Sequence, residues 1–163
     1  MKKFFFTIIL LVATICQANA QSLYKTVYEN AIGIVNKASS TQEQVDINQF
    51  EVTVLNYIQA QVTKRGLKKD GYFYDSQAVN MKSFVDDFRY YVNKARQVSA
   101  AKRLEVFACY RDASLQNPLF NDTDKDRALV YVNDKKTYTP FSLDTDWEKA
   151  YEQASANIKS IIR

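Results

Sequence analysis

The constraint that most narrows this chain is its scarcity of glycine and proline: three glycines and two prolines in 163 residues. Together they are about 3% of the sequence, against roughly 12% in average usage. Tight turns draw on these two residues, so a turn-rich β sandwich or barrel is disfavoured. A collagen-like or linker chain is excluded. The apolar share of 47% is too high for a disordered chain. Long uninterrupted stretches are therefore free to be helical.

The chain has no histidine, which removes every mechanism that needs an imidazole base or an imidazole metal ligand. The first twenty residues stand apart from the rest. Met1-Lys2-Lys3 is a short positive segment, residues 4–15 are apolar apart from threonines, and Ala18-Asn19-Ala20 has the small-x-small pattern of a signal-peptidase site. This is the layout of a secretory signal peptide, and the apolar run is too short to span a membrane. Lipid attachment at Cys16 is the rival. It wants a small residue before the cysteine, and Ile15 is bulky, so cleavage after Ala20 is favoured. Removing twenty of 163 residues leaves 143, takes away Lys2 and Lys3 so that +4 becomes +2, and leaves Cys109 as the single cysteine. With Val106, Phe107 and Ala108 before it, Cys109 is expected to act as a small buried hydrophobe.

Helical periodicity recurs along the remainder. Tyr24, Val27, Tyr28, Ala31, Ile32 and Val35 share one helical face, with Gly33 inside it as the position to test for close packing. Asp46 with Gln49 reads as a capping box, with Val45 and Phe50 as its staple, and Phe50, Val54, Tyr57, Ile58 and Val62 as the buried stripe ending near Gly66. Residues 66–75 read as a loop. Asp75 or Ser76 would cap a third helix with Met81, Phe84, Val85, Phe88, Tyr91, Val92 and Ala95 inward and Lys82, Asp86, Asp87, Arg89 and Lys94 outward. Ser99 would cap a fourth through Leu104, Phe107, Ala108 and Tyr110, stopped by Asn117-Pro118. A fifth is expected from Asn121 or Asp122 to Val132, although Ala128-Leu129-Val130-Tyr131-Val132 would also suit a strand. Residues 138–143 are extended around Pro140. Thr145 to Glu148 reads as the capping box of a last helix with Trp147, Ala150, Tyr151, Ala154, Ile158, Ile161 and Ile162 on its face. The expectation is an all-α, irregular bundle of about five to six amphipathic helices, with a signal peptide over 1–20 and a single domain over 21–163.

Several constellations have residue types that could carry chemistry. Asp122-Thr123-Asp124-Lys125-Asp126 opens like a calcium loop, but Arg127 and Asn133 stand where such a loop needs Gly and Glu, so helix-start acids are the better reading. Asp144 and Asp146, two apart, also read as capping acids. Ser99 and Lys102 have the spacing of a serine–lysine pair and read as a cap with a surface lysine. Lys64, Arg65, Lys68 and Lys69 lie beside Tyr72-Phe73-Tyr74. Bases next to aromatics can bind single strands by charge and stacking, but a near-neutral exported chain argues against nucleic acid. Tyr72, Phe73 and Tyr74 remain the candidate ligand-binding residues, and Phe120, Phe141, Leu143 and Trp147 the candidate structural anchors. No metal site and no cofactor are expected.

The C-terminal third carries Tyr110-Arg111-Asp112-Ala113-Ser114-Leu115, Asn117-Pro118, Phe120-Asn121-Asp122, then Phe141-Ser142-Leu143-Asp144-Thr145-Asp146-Trp147 and Lys149-Ala150. In these residues the chain resembles a group of small exported helical proteins of gut anaerobic bacteria. The resemblance implies export and a shared helical fold; the group has no assigned activity, so no catalytic residue carries over. The leading expectation is an exported, non-catalytic binding or interaction module of the periplasm or cell envelope, with a protein or glycan partner and no membrane span after signal cleavage. One alternative is a histidine-free carboxylate hydrolase, with Asp112 and Asp144 as its pair. The other is a structural subunit of an envelope complex.

Overall fold

Helices in this chain start where a side-chain oxygen can take up a free backbone N–H. A computed structural model describes residues 22–122, 127–131 and 138–162, with 127–131 and 138 described by their backbone. Among the described residues there are five helices: α1 (Leu23–Val35), α2 (Gln42–Lys64), α3 (Gly71–Arg96), α4 (Ala100–Gln116) and α5 (Trp147–Ile161). Their caps are Ser22, Thr41, Asp70, Ser99 and Asp146, each accepting from an N–H three residues on. The fold is an all-α bundle with one short hairpin between α4 and α5, β1 (Arg127–Tyr131) and β2 (Tyr138–Ser142). Helix α1 lies against α2 and α3, α3 against α4 and α5, and α4 against α5.

Two helices begin earlier than their sequence signals suggest. For α2 the capping box is Thr41 with Gln44, not Asp46 with Gln49: Gln44 N–H donates to Thr41 Oγ1 at 3.2 Å and Thr41 N–H to Gln44 Oε1 at 2.9 Å. Two overlapping boxes exist in this stretch, and the earlier one adds another helical turn. Asp46 instead accepts from Gln42 Nε2 within the first turns. For α3, Asp70 is the cap, so the expected loop over 66–75 is shorter and Tyr72, Phe73 and Tyr74 sit on the first turn of a helix.

Asp75 caps a helix, but a different one. Its carboxylate accepts the Tyr24 N–H at 2.8 Å, so a residue of α3 closes the start of α1. That bond, with help from Ser22 and Leu23, holds the Asp75 carboxyl below the ordinary carboxylate range. Gly33 shows no close packing: a Cβ there would meet nothing within 4 Å, so this glycine is a plain entropic cost to α1.

The expected fifth helix is instead a strand. Residues 127–131 pair antiparallel with 138–142, Arg127 opposite Ser142, Leu129 opposite Pro140 and Tyr131 opposite Tyr138. Asn121 takes φ 51°, a left-handed turn that breaks any helix start there. The β-branched and aromatic run then meets the extended stretch around Pro140, which is its partner strand. Proline is tolerated because a two-stranded sheet consists only of edges. Residues 123–126 of the calcium-like run lie outside the described residues, as do residues 1–20 of the expected signal.

The core is built on rings. Phe84 stands 5.0 Å from Tyr110, 5.2 Å from Phe141 and 5.4 Å from Trp147, centroid to centroid. Phe88 is 5.1 Å from Phe141 and 5.4 Å from Phe107, and Phe50 contacts both Phe141 and Trp147. Edge-to-face geometry dominates, as ring quadrupoles prefer. The strand residue Phe141 is thus driven into the middle of the helices. Phe120, Leu143 and Trp147 are buried in the same cluster. Leu104 is not in it: expected inward, it is 69% exposed on α4. Cys109 is half-buried rather than buried.

The last helix is locked by nonlocal polar groups. Thr145 does not cap it; the hydroxyl donates to Ser142 O at 2.6 Å and pairs with Ser114 Oγ at 2.8 Å. Asp146 takes the cap, and the buried Gln77 of α3 accepts the Trp147 N–H at 2.9 Å. Glu148, the expected box partner, accepts from Ser76 of α3 at 2.8 Å.

Candidate functional site

The concave site with the richest chemistry lies where the end of α1 meets the first half of α2 and the middle of α3. It is a cleft of about 420 Å³. Its charged members are Glu43 and Glu51 of α2 and Lys82, Asp86 and Arg89 of α3, with Gln44 and Asn48 on one wall and Ile34 and Ile47 as apolar contacts. Residues 82, 86 and 89 follow the 4-3 spacing of one helical face, which is why they converge.

Glu51 is the unusual residue, only 3% exposed. Lys82 Nζ stands 3.7 Å from its carboxylate and 3.1 Å from Asp86. Burial pushes the Glu51 carboxyl above the usual carboxylate range, with Asp86 adding to the effect and Lys82 and Arg89 pulling it partly back. Burial works against the Lys82 ammonium, but Glu51 and Asp86 more than offset it and hold its pKa above the ordinary lysine value. Arg89 pairs with Glu43 across the cleft, and its Nε is buried with no hydrogen-bond partner among the described residues.

A pH experiment follows from this arrangement. Because the folded-state pKa of Glu51 is raised, its ionisation opposes folding, and stability is lost as pH rises from the unfolded value through the folded one. Glu51→Gln removes that charge while keeping the shape. The variant is expected to melt at the same or a higher temperature than the wild type at pH 7, with the wild type gaining relative to it as pH is lowered toward about 4.3. Calorimetric melts across that range check it; a variant clearly less stable at pH 7 would mean that the Lys82 pair outweighs burial.

The residues singled out from sequence are placed as follows. Tyr72 is 75% exposed, while Phe73 and Tyr74 pack inward. Tyr74 meets Tyr24 at 5.4 Å, and burial, with Tyr28 and Tyr74 nearby, pushes the Tyr24 phenol up to about 12. The basic cluster is divided: Lys69 covers the Phe73 ring at 4.6 Å, whereas Arg65 turns toward the hairpin and donates to Phe120 O at 3.1 Å. Ser99 caps α4 and Lys102 pairs with Glu105 at 3.2 Å.

Asp112 and Asp144 have different environments. Asp112 is half-exposed on α4 beside Arg111. Asp144 is 4% exposed, and its two oxygens accept the Phe120 and Asp122 N–H groups, each at 2.6 Å. Asp122 in turn accepts from Tyr57 Oη at 2.9 Å and Gln61 Nε2 at 2.8 Å. This node ties the chain before the hairpin to α2 and to the start of α5. Burial, with Asp112 adding, pushes the Cys109 thiol up, which keeps it protonated.

Among the described residues, no group of three or more His, Cys, Asp or Glu is placed to hold a metal ion, and no helix is long and apolar enough to cross a membrane. No family model, curated protein or solved structure matches this chain. The charged cleft was half visible in sequence. Lys82, Asp86 and Arg89 stand out as the polar face of α3, and Glu51 occupies a stripe position with Ile47, Val54 and Ile58, where an acid is a signal in its own right.

Proposed function

We propose that this chain is an exported, non-catalytic binding module of the periplasm or cell envelope, and that the cleft between α1, α2 and α3 is its ligand site. The observation that carries this reading is the mixed charge around a buried carboxylate: three acids and two bases line one open concavity. A small zwitterion, such as a short peptide or amino acid, offers one charge of each sign to the Glu51–Lys82–Asp86 and Arg89–Glu43 groups. It can enter without leaving net charge buried, which is the condition for a tolerable desolvation cost. Export is supported by the signal-like layout of residues 1–20.

Two features bear on the alternatives. Asp144, one half of the proposed hydrolase pair, has both oxygens engaged by backbone N–H groups, which leaves it poorly placed to work on a substrate. The structural-subunit reading is favoured by an exposed apolar row on α4, where Leu104 and Leu115 face solvent.

Titration calorimetry with the dipeptide dialanine tests the binding reading. Binding tighter than about 1 mM is expected, weakened at least tenfold by Arg89→Ala. Absence of binding by the folded chain removes the cleft as a site for this class. Turnover of a peptide or glycan that is abolished by substituting one polar cluster would replace the binding reading with an enzymatic one.

A further inference from the structure

Taking the cleft between α1, α2 and α3 as the ligand site, as proposed above, we infer that it holds its ligand by a primary ammonium group. That group is seated between Glu51 and Asp86, beside Lys82, so a peptide is selected by its free N-terminus. Charge is unevenly matched along the cleft. Arg89 pairs one-to-one with Glu43. Glu51 and Asp86 instead share the single ammonium of Lys82. A second ammonium makes this end two cations to two carboxylates, whereas an added anion meets two like charges.

Hydrogen bonding is uneven at the same place. Lys82 Nζ donates to Asp86 at 3.1 Å, but its 3.7 Å to Glu51 is longer than a hydrogen bond. Glu51 is 3% exposed, so water does little to replace the missing donor. An ionised carboxylate has about four acceptor sites, and leaving them unmet in a buried place is costly. An ammonium supplies three N–H donors from one compact centre, enough to serve Glu51 and Asp86 together. Lys82 can make way for it. Its side chain is 49% exposed on a flexible stem, and it keeps its nearer partner, Asp86. The far end of a short peptide then meets Arg89. Asp86 and Arg89 are separated by about 4.5 Å of helix rise. A dipeptide spans at most about 7 Å, so its carboxylate reaches the guanidinium.

Titration calorimetry near neutral pH with three probes tests this, with circular dichroism to show that each variant is folded. Dialanine carries both charges, dialanine amide only the ammonium, and N-acetyldialanine only the carboxylate. The amide is expected to bind the wild type at least about tenfold more tightly than the acetylated peptide. Glu51→Gln, which keeps the shape of the side chain, should weaken both dialanine and the amide by about tenfold or more. Arg89→Ala should weaken dialanine and leave the amide little changed. N-acetyldialanine binding as well as dialanine overturns the inference, and so does amide binding indifferent to Glu51→Gln; either result leaves the cleft as a ligand site. No binding of any of the three probes overturns the inference together with the cleft reading.

Discussion

Phe84→Ala is expected to destabilise the chain by about 3–5 kcal/mol, the range for emptying a buried phenylalanine site. Phe84 is fully buried on α3 and touches rings from three other elements: Tyr110 of α4, Phe141 of β2 and Trp147 at the start of α5. None of these can collapse into the space without leaving its own contacts, so the cavity term should be near the top of its range. The melting temperature should fall by roughly 10 °C or more. Urea unfolding with an unchanged m-value checks it. A loss below about 1.5 kcal/mol, the cost of a tolerated volume change, would show that the hairpin and α5 repack without Phe84.

Asp144→Ala is expected to cost about 3 kcal/mol or more, by a different route. Two charge-assisted bonds disappear, and the Phe120 N–H is left buried without its acceptor. Asp144→Asn should recover part of the loss, since an amide oxygen can accept from one N–H while the amide nitrogen faces the other. Hydrogen exchange separates this from a general loss of stability. The Phe120 and Asp122 amides should lose protection beyond the global change, while those in the middle of α3 should follow it. Uniform loss across the chain would mean that the node and the helical core open together.

The same two residues show how much of the molecule was legible beforehand. Phe84 lies on the strongest amphipathic stripe in the sequence, and its burial follows from spacing alone. Asp144 was readable as an acid near a helix start, and its burial was not, because its donors are 22 and 24 residues away in the chain. Asp75 makes the same point. The residue type was right for a cap, but the helix it serves begins 52 positions earlier, at Leu23. The strand over 127–131 was undecidable locally, since its composition suits either state until the stretch around Pro140 lies beside it. The candidate cleft divides likewise: three of its charges sit on one face of α3, and Glu51 acquires meaning only when α2 brings it to Lys82.

Residue spacing and scarce glycine and proline were enough to establish a helical chain, its amphipathic stripes and most of its breaks, because a helix is held by bonds spanning four residues. The assembled fold settled which carboxylates cap, which clasp loops and which line a cleft, because those roles depend on groups separated by tens of residues. The energy of burying a charge is set by what surrounds it, and no short window of sequence contains those surroundings.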